Sequence, residues 1–399
     1  MSKGGEGESR EGLSLYAHVP FCRGKCHYCG FYSLCDRLSE QEPFLRAMQA
    51  EAVVLREDLE KAATLPSIET VYVGGGTPSL LGAERLGRLL ATLAGIAPWR
   101  PDCEVTTEVN PEDVDGVLVE SLLQHGVTRI SVGVQSFHDG ELTFLGRRAT
   151  ADRVRLALTD LREFGSQNVS IDLIYGLPGQ SLERWIANVE ETLRFGPDHI
   201  SCYLLTPEVN TVLEDLLRGG YAESPLEETL LLQYQRTREL LLAAGYEQYE
   251  ISNFARPGKR ARHNVATWRR KPYQGLGPAA HSFDGEVRWR NAADLDEYLT
   301  SLLERGRRPV EERLRLTKLD AAKEMIYLGL RLAEGITWDA LEAALGQRLP
   351  DRFKQRVRFL TNSGFLEADR EGLKLSPEAY FVSNSVFVEV IRALEEGIS

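Results

Sequence analysis

The first two thirds of the chain alternate short β-rich runs with amphipathic helical stretches, and few architectures accept that order. Runs over 13–19, 70–73, 104–108, 129–134, 170–174 and 199–205 are rich in β-branched or aromatic residues and bounded by turn residues. Stretches over 42–59, 83–93, 114–125, 151–164 and 182–195 carry apolar residues at helical spacing. His125-Gly126 and Phe164-Gly165 supply helix stops. Repeated strand–helix units require parallel strands joined by right-handed crossovers. Six of them predict an α/β fold, an open or partial (β/α) barrel, with ligand residues at the C-terminal ends of the strands. From about residue 310 the order changes. Helices over 321–332, 338–345 and 351–363 precede a hairpin, 365–368 and 372–375, around Asp369-Arg370-Glu371. That order predicts a smaller helical, winged-helix-like domain. The expected division is a disordered leader over 1–12, a barrel over 13–305 and a C-terminal domain over 306–399.

Cys22, Cys26 and Cys29 follow the first strand directly, in a C-x3-C-x2-C spacing. Three of the six cysteines therefore crowd into one loop, which in a reducing compartment points to a metal or redox site rather than to disulfides. Gly24 and Gly30 let that loop wrap so that three thiolates share one soft metal centre. A cubane has four irons, so three cysteines leave one iron free for a substrate or cofactor. A Cys3His zinc site is the competing reading, and it would have to recruit His27 or a more distant histidine. Cys35 reads as a free thiol, with a fourth-ligand role as the alternative; Cys103 and Cys202 sit at strand positions and read as small buried hydrophobes.

Gly74-Gly75-Gly76-Thr77-Pro78-Ser79 follows the second strand. Three glycines allow a ligand to approach the backbone, although a tight turn alone also explains them. The sequence is neither a P-loop nor a dinucleotide fingerprint. Polar residues mark other strand ends: Glu108 and Asn110, Gln135 and Ser136, and Asp172 inside an apolar run. A carboxylate such as Asp172 needs a ligand or a partner there, and Arg147 is a candidate for a purely structural ion pair.

Charge and hydropathy bound the partners. A formal net charge of −12 disfavours broad binding to nucleic acid or to anionic membrane. The C-terminal module is not notably basic, so an internal lid or partner surface is expected rather than DNA binding. No run is apolar enough to span a bilayer, and the first twelve residues are polar rather than signal-like. A cytoplasmic location is the expectation.

Taken in order, these motifs resemble the oxygen-independent coproporphyrinogen oxidase family of radical SAM proteins. The matching pieces are the cysteine loop, the Gly-Gly-Gly-Thr-Pro-Ser turn, Glu108-Val109-Asn110-Pro111, Gly133-Val134-Gln135-Ser136-Phe137 and the segment from Asp172 to Pro178. The resemblance implies a partial (β/α)6 radical SAM barrel. It implies that Cys22, Cys26 and Cys29 ligate a [4Fe–4S] cluster whose fourth iron is chelated by S-adenosylmethionine. It places Tyr16 and Tyr28 next to the cluster and cofactor, and Gly75, Gly76 and Thr77 at the methionyl amino end. Glu108, Gln135, Arg147 and Asp172 match the remaining cofactor contacts, Asp172 suiting ribose hydroxyls. It further implies a low-potential electron donor near about −400 mV, such as a ferredoxin or flavodoxin.

Within that family the chain is more similar to the heme-chaperone branch than to the decarboxylating oxidase. Phe31 stands where the oxidase carries a further cysteine, and only 15 residues precede Tyr16. The branch's H-N-x-x-Y-W heme motif is matched by His263-Asn264-Val265-Ala266-Thr267-Trp268, with Thr267 in place of the usual tyrosine. The resemblance implies heme as ligand, with His263 as axial ligand and Trp268 beside it, and delivery to an acceptor protein. His281 is a second candidate ligand, and Arg256, Lys259, Arg260 and Arg262 either meet heme propionates or face solvent. The expected function is therefore a chaperone without coproporphyrinogen oxidase activity. The alternatives are oxygen-independent decarboxylation of coproporphyrinogen III or another radical SAM modification of a tetrapyrrole.

Overall fold

A computed structural model describes residues 12–61 and 65–398. The expected leader lies outside the described residues except for Gly12. The six sequence units form β1 (Leu13–Val19), α1 (Gln41–Glu60), β2 (Ile68–Gly75), α2 (Gly82–Ala94), β3 (Trp99–Val109), α3 (Gly116–Gln124), β4 (Arg129–Gln135), α4 (Asp139–Phe144), α5 (Ala151–Glu163), β5 (Val169–Tyr175), α6 (Leu182–Phe195) and β6 (His199–Leu204). Strands β1 to β6 pair in sequence order and all in parallel. Helix starts are fixed where a side chain accepts an orphan backbone N–H: Asp115 from Leu118, Thr150 from Arg153 and Ser181 from Arg184. Helix α6 stops at Gly196, which adopts the left-handed conformation at φ 59°.

The strands alternate, and the alternation builds the site. Residues facing the helices are apolar and buried: Leu15, Ala17 and Val19 on β1, Val71 and Val73 on β2, Ile130, Val132 and Val134 on β4, Ile171 and Leu173 on β5. The opposite face is polar. The register sets Tyr16 opposite Tyr72, Tyr72 opposite Thr106, Glu108 opposite Ser131, Gly133 opposite Asp172 and Asp172 opposite Ser201. One in-phase polar set from all six strands therefore lines a common cavity, which is a partial barrel's interior.

Beyond β6 the chain runs through α7 (Val212–Arg218), α8 (Glu227–Ala243), β7 (Glu247–Gln248), β8 (Asn253–Ala255), α9 (Arg262–Trp268), β9 (Tyr273–Leu276), β10 (His281–Phe283), β11 (Val287–Asn291), α10 (Leu295–Leu303) and β12 (Val310–Arg315). These short strands extend the sheet to the order β12-β11-β10-β9-β1-β2-β3-β4-β5-β6-β8-β7. Strand β12 lies past the expected break at residue 306, yet pairs with β11 in the large sheet.

The C-terminal module follows: α11 (Lys318–Gly329), β13 (Ile336–Thr337), α12 (Trp338–Leu345), α13 (Asp351–Asn362), β14 (Leu366–Ala368), β15 (Gly372–Leu375) and α14 (Ser383–Ile398). Its three strands form a separate small sheet, β13-β15-β14. A capping box between Thr317 and Asp320 starts α11. The module docks on the barrel where the fully buried Glu250 takes Arg331 at 3.2 Å and the Ala333 N–H donates to the Tyr249 carbonyl at 3.0 Å.

Candidate functional site

The cavity inside the barrel holds about 850 Å³ and runs from the cysteine loop to α9. Cys22, Cys26 and Cys29 line its mouth together with Tyr28. The loop is tied to the barrel at both ends. The Cys22 N–H donates to the Leu34 carbonyl and the His27 N–H to the Leu145 carbonyl, each at 3.0 Å. The His27 ring is fixed through Nδ1 to the Phe144 carbonyl at 2.7 Å. Burial pushes the Cys22 and Cys29 thiols up. Two donors meet the sulfurs: Arg147 Nη1 lies 3.7 Å from Cys26 Sγ, and Thr77 Oγ1 lies 3.4 Å from Cys22 Sγ. Such donors favour thiolates, the form in which cysteine ligates a metal. Among the described residues no three His, Cys, Asp or Glu side chains close on a single ion position. A cubane presents a different iron to each cysteine, so its thiolates stand farther apart than those of a mononuclear centre.

The glycine turn crosses the cavity wall beside this loop. Gly75 has φ +110°, and a Cβ there would sit 2.6 Å from the His18 ring. A Cβ on Gly76 would sit 2.7 Å from the Phe21 carbonyl oxygen. Only glycine lets the turn pass this close to β1 and the start of the cysteine loop. The neighbouring Gln135 is the one cavity residue other than glycine, among those described, held at positive φ (66°). A bulge between Gly133 and Gln135 produces that conformation and turns Gln135 to the cavity.

Below the mouth, Glu108 accepts the Tyr72 hydroxyl at 2.6 Å and the Gly75 N–H at 3.2 Å. Burial pushes its carboxyl up to about 7, the Asp172 charge adding to the shift while the two donors oppose it. Burial likewise raises Asp172, against the pull of Ser201 and Ser131. The folded chain thus holds a proton on Glu108 that the unfolded chain, with an ordinary carboxyl near 4.5, releases. This contribution to stability falls as pH rises from 4.5 to about 7. Glu108→Gln is expected to flatten that part of the urea-midpoint profile; a slope identical to the parent's would contradict the assignment.

Apart from His263, no motif marks the barrel floor. Arg129 and Glu104, 3% and 7% exposed, pair at 3.2 Å. Arg129 Nη2 also donates to the carbonyls of Lys259 (2.9 Å) and Arg260 (3.1 Å), and Glu104 accepts the N–H groups of Arg262 (3.1 Å) and His263 (3.0 Å). The pair thereby clasps the start of α9. Beside it, His199 bonds Ser170 and Tyr249. The sequence signal that would have found this layer is polar residues at every second strand position: Ser14, Thr70, Glu104, Arg129, Ser170 and His199.

Of the residues singled out from sequence, Tyr16, Cys22, Cys26, Tyr28, Cys29, Gly75, Gly76, Thr77, Glu108, Gln135, Arg147, Asp172 and His263 all line this cavity. Arg147 bonds the Gly133 carbonyl and Asn110 rather than Asp172, so it is not the structural partner Asp172 was offered. His263 sits on the floor, 7% exposed, with Nδ1 2.9 Å from Thr70 Oγ1 and its ring against Tyr72. Thr70 Oγ1 donates to Ser14, so it accepts from His263 Nδ1–H and leaves Nε2 with the lone pair. Nε2 carries no hydrogen bond among the described residues. Burial lowers the imidazole to about 4, which keeps it neutral near pH 7.

Trp268 is not brought to His263. It packs on Tyr249 and beneath the Arg331 guanidinium, on the side of α9 facing the C-terminal module. The basic cluster does not reach the cavity either. Lys259 pairs with Asp198, Arg260 with Glu247 and Glu334, and Arg262 with Glu69 and Asp102, while Arg256 donates to the Pro197 carbonyl. His281 is exposed on β10, outside the cavity lining. Among the described residues no helix is long and apolar enough to cross a membrane.

Comparison with known proteins gives a consistent pattern. Residues 16–192 match the model of the Radical SAM superfamily, and residues 316–382 match that of the HemN C-terminal domain. The heme chaperone HemW of Bacillus subtilis is 30% identical over 375 residues, covering 94% of this chain and 98% of that protein. The protein of the same name from Mycobacterium tuberculosis H37Rv is 36% identical over 368 residues, covering 90% and 93%. A Bos taurus protein named radical S-adenosyl methionine domain-containing protein 1, mitochondrial, is 33% identical over 397 residues, covering 96% and 88%. The solved coproporphyrinogen III oxidase HemN of Escherichia coli, described as a radical SAM enzyme, superposes with a TM-score of 0.80 at 22% identity. It covers 96% of this chain and 90% of that one, a likeness of fold.

Proposed function

The chain belongs to the radical SAM superfamily and, within it, to the family of the heme chaperone HemW, and from that premise we propose that it binds heme and passes it to an acceptor protein. The same cavity would hold a [4Fe–4S] cluster on Cys22, Cys26 and Cys29 and an exchangeable S-adenosylmethionine. The observation that carries this reading is the joining of three thiols, at the mouth, to a neutral imidazole nitrogen, on the floor, by one continuous cavity. A bound cluster supplies one-electron chemistry and an iron open to chelation.

The protein's own groups divide the work. Gly75 and Gly76 let the turn close on His18 and Phe21 at the cavity wall, and Glu108, held between Tyr72 and the Gly75 N–H, offers a carboxyl to an ammonium group. Asp172, buried beside Ser131 and Ser201, suits hydroxyl donors such as those of a ribose. Arg147, one edge already on Asn110 and Gly133, keeps a positive charge beside the thiols. His263, its Nε2 lone pair left free by the bond from Nδ1–H to Thr70, would be the residue that holds heme iron. Trp268 holds α9 against Tyr249 and Arg331, so its part in the motif is to anchor the helix that carries His263. A ferredoxin- or flavodoxin-like protein is the expected electron donor.

Heme titration tests the reading. The parent is expected to develop a stable Soret band. Outer-shell partners of a metal ligand already cost about 10–100-fold in affinity, so His263→Ala is expected to lose at least about tenfold. An unchanged titration removes His263 as the ligand. Conversion of coproporphyrinogen III to protoporphyrinogen IX under reducing, anaerobic conditions would replace the chaperone with an oxidase.

A further inference from the structure

Two of the three loop thiols are joined by an unbroken polar arc across the cavity mouth. Arg147 Nη1 donates to Cys26 Sγ at 3.7 Å, and Arg147 Nη2 donates to Asn110 Oδ1 at 2.8 Å. Asn110 Nδ2 donates to Thr77 Oγ1 at 3.3 Å, and Thr77 Oγ1 lies 3.4 Å from Cys22 Sγ. Asn110 itself is fixed from behind: its backbone N–H donates to Ser79 Oγ at 3.1 Å, and Ser79 in turn donates to Asp113 at 2.8 Å.

We propose that Asn110 is a positioning residue that aims one hydrogen-bond donor at each of Cys22 and Cys26 and so raises the reduction potential of the cluster they hold, an inference that rests on the cluster reading above. The direction of every bond follows from the amide. A guanidinium only donates, so the Asn110 oxygen must face Arg147 and its nitrogen must face Thr77. Thr77 Oγ1 is then an acceptor on that side, and its own hydrogen is left for the Cys22 sulfur. Once the sulfurs are thiolates they can only accept, and both ends of the arc present donors to them. Donors on cluster sulfurs favour the reduced, more negative state. No other residue type of this size both accepts from Arg147 and donates to Thr77. Aspartate in particular would draw the Thr77 hydrogen to itself and strip Cys22 of its donor.

The test is the midpoint potential of the reconstituted cluster, read by EPR-monitored redox titration without S-adenosylmethionine. Four proteins are compared: the parent, Asn110→Asp, Thr77→Val and the double variant. Asn110→Asp is expected to shift the potential negative, partly through its charge and partly by turning Thr77 away. In the Thr77→Val background only the charge effect remains, so the shift is expected to be smaller than in the parent. Equal shifts in the two backgrounds, with iron content intact, overturn the inference and leave the cluster assignment standing. Asn110→Ala adds no charge and decides the matter if the aspartate variant does not load: a negative shift supports the arc, and an unchanged potential overturns it. A parent protein that takes up no cluster would instead defeat the underlying reading.

Discussion

Alanine at Cys22, Cys26 or Cys29 is expected to take the anaerobically reconstituted protein from about four irons per chain to less than one. Each of the three thiols faces the cavity mouth, and no fourth cysteine does so among the described residues. Cys35 follows Leu34, which pairs with Pro20 and Cys22, and although near enough to Cys22 and Cys26 for their charges to interact it does not line the cavity. Cys103 and Cys202 lie on the outward faces of β3 and β6, packed into the core beneath the helices. Burial pushes the Cys103 thiol up to about 12 and raises Cys202 as well, so both stay protonated and poor as ligands. Alanine at these three positions should leave about four irons in place. Iron and acid-labile sulfide analysis, with the charge-transfer absorbance of the cluster, checks all six variants. Full iron loading in Cys26→Ala would contradict the assignment, as would one zinc per chain in the parent.

The second large effect concerns stability. Arg129→Leu is expected to cost about 3–5 kcal/mol, the penalty for leaving one member of a buried ion pair unpaired. The replacement strands Glu104, a buried carboxylate, on two backbone N–H groups and removes the donor from two carbonyls at the start of α9. The loss should fall on the floor first, because this clasp places His263 in the cavity. Urea unfolding followed by tryptophan fluorescence gives the size of the effect. Heme affinity of Arg129→Leu should drop along with stability, whereas His263→Ala should lower affinity with a much smaller loss of stability. Replacing both partners, Arg129→Met with Glu104→Gln, should recover part of the loss, since apolar or neutral substitutes remove the unpaired charge. A penalty below about 1 kcal/mol for Arg129→Leu would show that the pair contributes like an exposed one.

Much of this was legible because the informative residues lie in strongly patterned segments. The runs around residues 13–19, 129–134 and 170–174 coincide with β1, β4 and β5 to within a residue. Helix α12 and the hairpin of β14 and β15 fell where helix and turn signals placed them. The strands read as 70–73 and 104–108 are longer, Ile68–Gly75 and Trp99–Val109, because glycine, proline and aspartate at their ends weaken the β signal. The edge strands were not legible. Strands β7 to β10 have two to four residues each, too few to show a period. Strand β12 is Val-Glu-Glu-Arg-Leu-Arg, largely exposed, and its charges suit a sheet edge rather than a core.

The site divides in the same way. The cavity mouth was marked by cysteine and glycine spacing that chemistry restricts. Of the floor only His263 was marked, since Arg129, Glu104 and His199 come from three strands and only the closed sheet brings them together. Trp268 shows the limit of a linear motif. His263 and Trp268 are five positions apart on one helix, so they point to different faces, one into the cavity and one toward the C-terminal module.

The most direct test of the central assignment is Mössbauer spectroscopy of the 57Fe-reconstituted protein, with and without S-adenosylmethionine. About one iron in four should form a distinct site whose isomer shift rises when the nucleoside is added, since three cysteines leave that iron without a protein ligand. Four equivalent irons that ignore the nucleoside, or no cluster at all, would contradict the account.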